Sequence, residues 1–232
     1  MPSHSMHGKW AIRIIGKRLP YIDELVDKLE IHDYPCRGEF YPYKALQFGY
    51  IVFKRYGCSS VKAMYLHCVM DSIDLFLKQK NTELRDKGYF TLNDKKCQPQ
   101  SRLSENEWLW ICVDKNNPYL GLTLSQTRMD ELILKTIRAR VDGMLENYLD
   151  AIEKAVRLVK SRENVNLPEE LLKDIITVAS NKEFIECAHK SIIELKNKLD
   201  NKNLFKEMVN DIASEAVTKV NQQKRRKVRR FL

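Results

Sequence analysis

Few residue types in this chain are spaced as chemistry would require. His67 and Cys68 are adjacent, with Cys58 nearby, which raises a zinc site. Neighbouring residues on a helix point about 100° apart, however, and no Cys-x-x-Cys pair completes a ligand set. Cys187 with His189 meets the same objection. Asp71 and Asp74 stand one turn apart on an expected helix and could share a cation, and Glu105 and Glu107 flank a possible strand in the same way. A metal-dependent nuclease uses such carboxylates, but here no motif joins them. There is no Gly-x-Ser-x-Gly, His-Glu-x-x-His, Walker loop or Gly-x-Gly-x-x-Gly. The expectation is therefore a protein without catalytic residues, bound metal or cofactor.

The other candidate chemistry is cationic. Lys and Arg number 40 against 31 Asp and Glu, a formal charge of +9 on 232 residues. Six of these charges lie in one run, Lys224, Arg225, Arg226, Lys227, Arg229 and Arg230, which leaves a nearly balanced body. Such a run reads as a nucleic-acid contact or nuclear-import signal, or else as a solvated helix end. Arg13, Lys17, Arg18, Lys44, Lys54 and Arg55 are candidate phosphate contacts, which position a nucleic acid without reading its sequence.

The elements that would carry these residues fall into two halves. Seventeen of 21 aromatics and six of seven prolines lie in residues 1–120, and Asp-Lys-Asn-Asn-Pro-Tyr-Leu-Gly at 114–121 is rich in turn formers. A boundary is expected at about 115–124, with a domain over 9–120, a helical bundle or coiled coil over 121–223, and a basic tail over 224–232. In the second half Ile137, Val141, Leu145, Leu149, Ile152, Val156 and Val159 recur at three- and four-residue steps, which predicts one long helix over 125–162. Pro168, Glu169 and Glu170 open a helix over 168–180, and further apolar stripes predict helices over 182–199 and about 203–222. A helix as long as 125–162 must pack along a partner, break near Asp142-Gly143, or dimerise.

In the first half, residues 10–15 (Trp-Ala-Ile-Arg-Ile-Ile) alternate like a strand, and Ile22, Leu25, Val26 and Leu29 predict a helix over 21–30. Residues 47–54 (Gln-Phe-Gly-Tyr-Ile-Val-Phe-Lys) have strand composition, and a helix capped by Ser59 or Ser60 follows. That order, together with the string Phe48-Gly49-Tyr50-Ile51-Val52-Phe53, resembles the RNA recognition motif (RRM) family and its Lys/Arg-Gly-Phe/Tyr-Gly/Ala-Phe-Val-x-Phe/Tyr pattern. The first two positions of the pattern are Leu46 and Gln47 here, and Arg13 stands where an aromatic of the first strand is expected. The fourth strand would be 89–92 or 108–113. The resemblance implies an α+β class, a ferredoxin-like α/β sandwich followed by an all-α domain. It further implies that Phe48 and Tyr50 stack on unpaired bases while Ile51 and Phe53 enter the core.

Together these readings point to a non-catalytic protein that binds single-stranded RNA, with residues 125–220 available for a homodimer or a protein partner. A different class, a structural or adaptor protein (virus-encoded, for instance) that assembles through a degenerate sheet and long helices, fits the same features. No apolar window is long enough to cross a membrane, and the N-terminus lacks the apolar core of a signal peptide. An intracellular and, from the basic run, nuclear location is expected. The six cysteines, Cys36, Cys58, Cys68, Cys97, Cys112 and Cys187, then read as reduced and mostly buried thiols.

Overall fold

The computed structural model describes residues 2–28, 36–86, 128–161 and 165–228. Among them there are eight helices and no strand. In chain order they are α1 (His4–Ile15), α2 (Pro20–Val26), α3 (Tyr41–Tyr56), α4 (Cys58–Asp86), α5 (Arg128–Ser161), α6 (Glu169–Ala179), α7 (Lys182–Leu199) and α8 (Lys202–Val228). None is long and apolar enough to cross a membrane among the described residues.

This overturns the α+β class and the RRM resemblance. Residues 10–15 and 47–54, expected as strands, belong to α1 and α3. The reason lies in which side chains are buried and how the segments end. On α1 the buried positions are His7, Gly8, Trp10, Ala11 and Ile14, the three- and four-residue spacing of one helix face. Ser3 caps its start by accepting the Met6 N–H, and Gly16 ends it at φ 88°, where its N–H bonds the Ile12 carbonyl. On α3 the buried positions are Ala45, Leu46, Phe48, Gly49 and Val52. Pro42 sits in its first turn, and Gly57 stops it at φ 78°. Punctuation of that kind outweighs the strand-like composition of a short apolar run, which by itself does not separate a strand from a buried helix.

The side chains therefore divide differently from the expectation. Phe48, assigned to an open sheet face, is in the core at 5 % exposure, whereas Ile51, assigned to the core, is 51 % exposed. Gly49 permits close packing: a Cβ there would stand 3.4 Å from Phe184 Cζ and 3.5 Å from Met64 Cε and the Tyr65 hydroxyl. Those are ordinary contact distances, so Gly49→Ala should fit and stabilise the protein by up to about 1 kcal/mol through helix propensity. Urea denaturation would measure this, and a loss of more than about 1 kcal/mol would show that α3 is packed more tightly than described.

The second half agrees with its periodicity. The helices expected over 125–162, 168–180, 182–199 and about 203–222 are α5, α6, α7 and α8. Pro168 is the cap residue of α6, and Asn181 caps α7 by accepting the Phe184 N–H at 2.9 Å.

The chain divides into two compact units, both discontinuous in sequence. Ser3–Ser72 with Arg140–Lys202 form one, and Met1–Pro2, Ile73–Ala139 and Asn203–Leu232 the other. In the first unit α1 packs on α2, α3 on α6 and α7, and α6 on α7. Its core holds Trp10, Ile22, Leu46, Met64, Tyr65, Tyr148, Ile175 and Phe184. Tyr50 and Phe53 both meet the Phe184 ring, with centroids 5.3 and 5.5 Å apart. In the second unit Ile137, Phe205, Met208 and Ile212 are buried, and the Arg138 guanidinium lies 5.1 Å from the Phe205 ring.

Not all cysteines are reduced thiols. Cys58, at the start of α4, is disulfide-bonded to Cys187 of α7. Cys36 and Cys68 are free thiols, and Cys97 and Cys112 lie outside the described residues.

Candidate metal centre

The residues expected to touch RNA do not form a platform. Phe48 is buried, and Tyr50 is half-buried edge-on against Phe184. Arg13 lays its guanidinium over the Trp10 ring at 4.5 Å. Lys17 and Arg18 are exposed just after α1, Lys44 is half-buried early in α3, and Lys54 and Arg55 are exposed in its last turn. Lys224, Arg225, Arg226 and Lys227 belong to the last turns of α8, while Arg229 and Arg230 lie outside the described residues. Glu105, Glu107 and both candidate fourth strands lie outside them too.

What the first unit does bring together is a set of histidines and aspartates from three helices. Each helix offers a pair at the spacing that puts two side chains on one face: His4 and His7 on α1, Asp23 and Asp27 in and just after α2, His67 and Asp71 on α4. In sequence His67 adjoins Cys68, and Asp71 stands near Asp74. In the fold His67 and Asp71 meet each other and His7. One donor atom from each of His7, His67 and Asp71 lies within 4.8 Å of the other two.

The geometry sorts the ring nitrogens into two sides. Asp23 Oδ1 stands 3.1 Å from His67 Nδ1 and 3.5 Å from His7 Nδ1. The other nitrogens face the other carboxylates. His67 Nε2 is 3.2 Å from both Asp27 Oδ1 and Asp71 Oδ2, and His7 Nε2 is 3.5 Å from Asp71 Oδ1. The two rings stand edge to face, with centroids 3.8 Å apart. His67 Nδ1–H donates to Asp23; Nε2 offers a lone pair only in the neutral ring, so an ion bound there displaces a proton. Neither nitrogen of His7 has a hydrogen-bond partner, nor does His67 Nε2. Yet the two residues are only 2 % and 1 % exposed. A buried unsatisfied polar group costs about 1–3 kcal/mol, so such a pair of imidazoles needs a physical reason.

Electrostatics supplies part of it. Burial pushes the Asp23 carboxyl up, but His67 and His7 outweigh that and hold it below its ordinary value. Asp27 behaves alike: burial raises it, and His67 with His4 bring it below. Burial would lower His67, but the carboxylates of Asp23, Asp27 and Asp71 overcome this and raise it well above the ordinary imidazole. Three aspartates around two rings thus create a field that draws in positive charge.

The spacings suit an ion as that charge. Around a four-coordinate metal with bonds of about 2.0–2.1 Å, neighbouring donors stand roughly 3.3–3.4 Å apart. The Nε2-to-carboxylate separations of 3.2 and 3.5 Å match that. His7 Nε2, His67 Nε2 and Asp71 could hold the ion, with Asp27 Oδ1 beside His67 Nε2 at the edge of the group. Asp23 would orient His67 from Nδ1, and His4, whose Nε2 lies 2.6 Å from Asp27 Oδ2, would orient Asp27. Nitrogen and oxygen donors of this kind suit borderline divalent ions such as Zn²⁺, Fe²⁺ or Mn²⁺ better than Cu⁺.

His7, His67 and Asp71 are buried, while Asp27 reaches the surface with a side chain 26 % exposed. A cavity of about 540 Å³ elsewhere in this unit is lined by Ile152, Val156, Arg157, Ile185 and His189, none of them in the cluster. Burial of both imidazoles and Asp71 is more in keeping with a structural ion than with a catalytic one, since catalytic sites keep an open position. The signal available in the sequence was three pairs of ligand-type residues at helical spacing; what hid it was the strand assigned to α1. No family model, curated protein or solved structure matches this chain.

Proposed function

We propose that this chain is a metal-binding helical protein. One divalent transition ion would join α1 and α4 through His7, His67 and Asp71, with Asp27 beside them. The observation that carries the reading is the buried His7 ring, with both nitrogens lacking a hydrogen-bond partner while carboxylate oxygens stand 3.5 Å away. The ion would neutralise a cluster of buried carboxylates and satisfy the Nε2 atoms of His7 and His67 at once, while His7 Nδ1 faces Asp23. Calorimetric titration of chelator-treated protein with Zn²⁺ and Mn²⁺ tests this. One saturable site is expected in the native chain, with affinity lowered at least 100-fold in His67→Ala; the absence of heat for both ions would refute the reading.

A second activity is supported by the basic run. Four of its six cations continue α8, and such a run gives a polyanion affinity that depends on counterion release. Base stacking on Phe48 plays no part in it. Deleting residues 224–232 should flatten the salt dependence of single-stranded RNA binding, by up to about four units of log K per log salt at roughly 0.7 per phosphate contact. An unchanged slope in an anisotropy titration would remove RNA binding by this run.

A further inference from the structure

Independently of the ion, the first unit contains a second pair of cysteines whose placement calls for a role. Cys36, half-buried ahead of α3, and Cys68, fully buried on α4, hold their sulfurs 2.7 Å apart. In sequence they are 32 residues apart, so the contact is made by the fold. The same unit carries a disulfide between Cys58, also on α4, and Cys187 of α7. With one cysteine pair of this unit bridged, the second pair is placed for the same chemistry.

We propose that Cys36 and Cys68 are a reversible disulfide site, closed by exchange with a low-molecular-weight disulfide of the glutathione type. Cys36, the less buried of the two residues, loses its proton and attacks one sulfur of the small disulfide. The S–S bond of the reagent breaks, its other half leaves as a thiolate, and Cys36 carries a mixed disulfide. Cys68, already in contact, loses its proton and attacks the Cys36 sulfur, which expels the second small thiolate. The two protein thiols are oxidised by two electrons, the small disulfide is reduced to two thiols, and the released protons end on those thiols or the solvent. The Cys36–Cys68 bond then ties the segment ahead of α3 to the middle of α4, one residue beyond the ligand-type His67.

Burial first, and then Cys68, raises the Cys36 thiol well above its ordinary range.

The test incubates the full chain with oxidised glutathione at about pH 8.5, blocks remaining thiols with N-ethylmaleimide in acid, and maps peptides without reduction. The expected product is a cross-linked pair of peptides containing Cys36 and Cys68, two hydrogens lighter than the separate thiols and regenerated by dithiothreitol. Cys68→Ser should accumulate glutathione on Cys36, because the resolving sulfur is gone. Cys36→Ser should leave Cys68 unmodified, because the buried sulfur has no accessible partner to start the exchange. Recovery of both residues as maleimide adducts in the native chain, or of each with its own glutathione, would overturn the proposal.

Discussion

His67→Ala is expected to lower the thermal midpoint of the metal-loaded protein by about 10–30 °C and to abolish its response to chelators. Two contributions add. An ion present at 100 times its dissociation constant stabilises the folded state by about 2.7 kcal/mol. Deleting the ring also leaves Asp23, Asp27 and Asp71 facing each other without the imidazole that lies within 3.2 Å of each. Breaking a buried charged group of this kind typically costs about 3–5 kcal/mol. For a chain of this size each kcal/mol moves the midpoint by about 2–4 °C. The comparison that isolates the ion is chelator treatment. The native protein should lose several degrees, and His67→Ala should lose none. His4→Ala is the graded control: its ring is half exposed and touches only Asp27 in this group, so its effect should stay within about 1 kcal/mol. Calorimetric scans of the three proteins with and without chelator read all of these effects.

Phe48→Ala carries the next largest effect, about 3–5 kcal/mol of lost stability, from removing a buried aromatic ring. Phe48 sits on the inner face of α3 with Ala45, Leu46, Gly49 and Val52. Truncating it leaves a void among side chains that cannot fully close around it. In an RRM-like sheet the same substitution would spare the fold and remove a base-stacking surface. Here the expected outcome is reversed: a lower denaturation midpoint, and no specific loss of RNA affinity in whatever fraction stays folded. Urea unfolding followed by far-ultraviolet circular dichroism checks it; a change below about 1 kcal/mol would place Phe48 outside the core.

How far the sequence could be read differs between the halves, for physical reasons. The stripe from Ile137 to Val159 runs over six turns, and a periodicity that long admits only a helix; α5 to α8 follow their stripes closely. The helices that were misread are α1 and α3. Their apolar residues are aromatic or β-branched and closely spaced, so over six residues the two periods are hard to separate. The better indicators were at the ends: Ser3 and Gly16 around α1, Pro42 and Gly57 around α3. The metal centre was legible in pieces. His67 and Asp71 were both singled out, and their four-residue separation is that of a shared helix face. Their convergence with His7, about 60 positions earlier, is a property of the packing of α1 and α2 on α4 and has no local signature. The Cys58–Cys187 bridge, 129 residues apart, is of the same kind.

The most direct test of the metal centre is the metal content of the chain. Protein dialysed to equilibrium against micromolar Zn²⁺, Mn²⁺ or Fe²⁺ and analysed by inductively coupled plasma mass spectrometry should retain about one equivalent of one of these ions per chain, and the His7→Ala, His67→Ala double variant should retain none. Native protein that emerges without a stoichiometric ion, or a double variant that keeps as much as the native chain, would contradict the account.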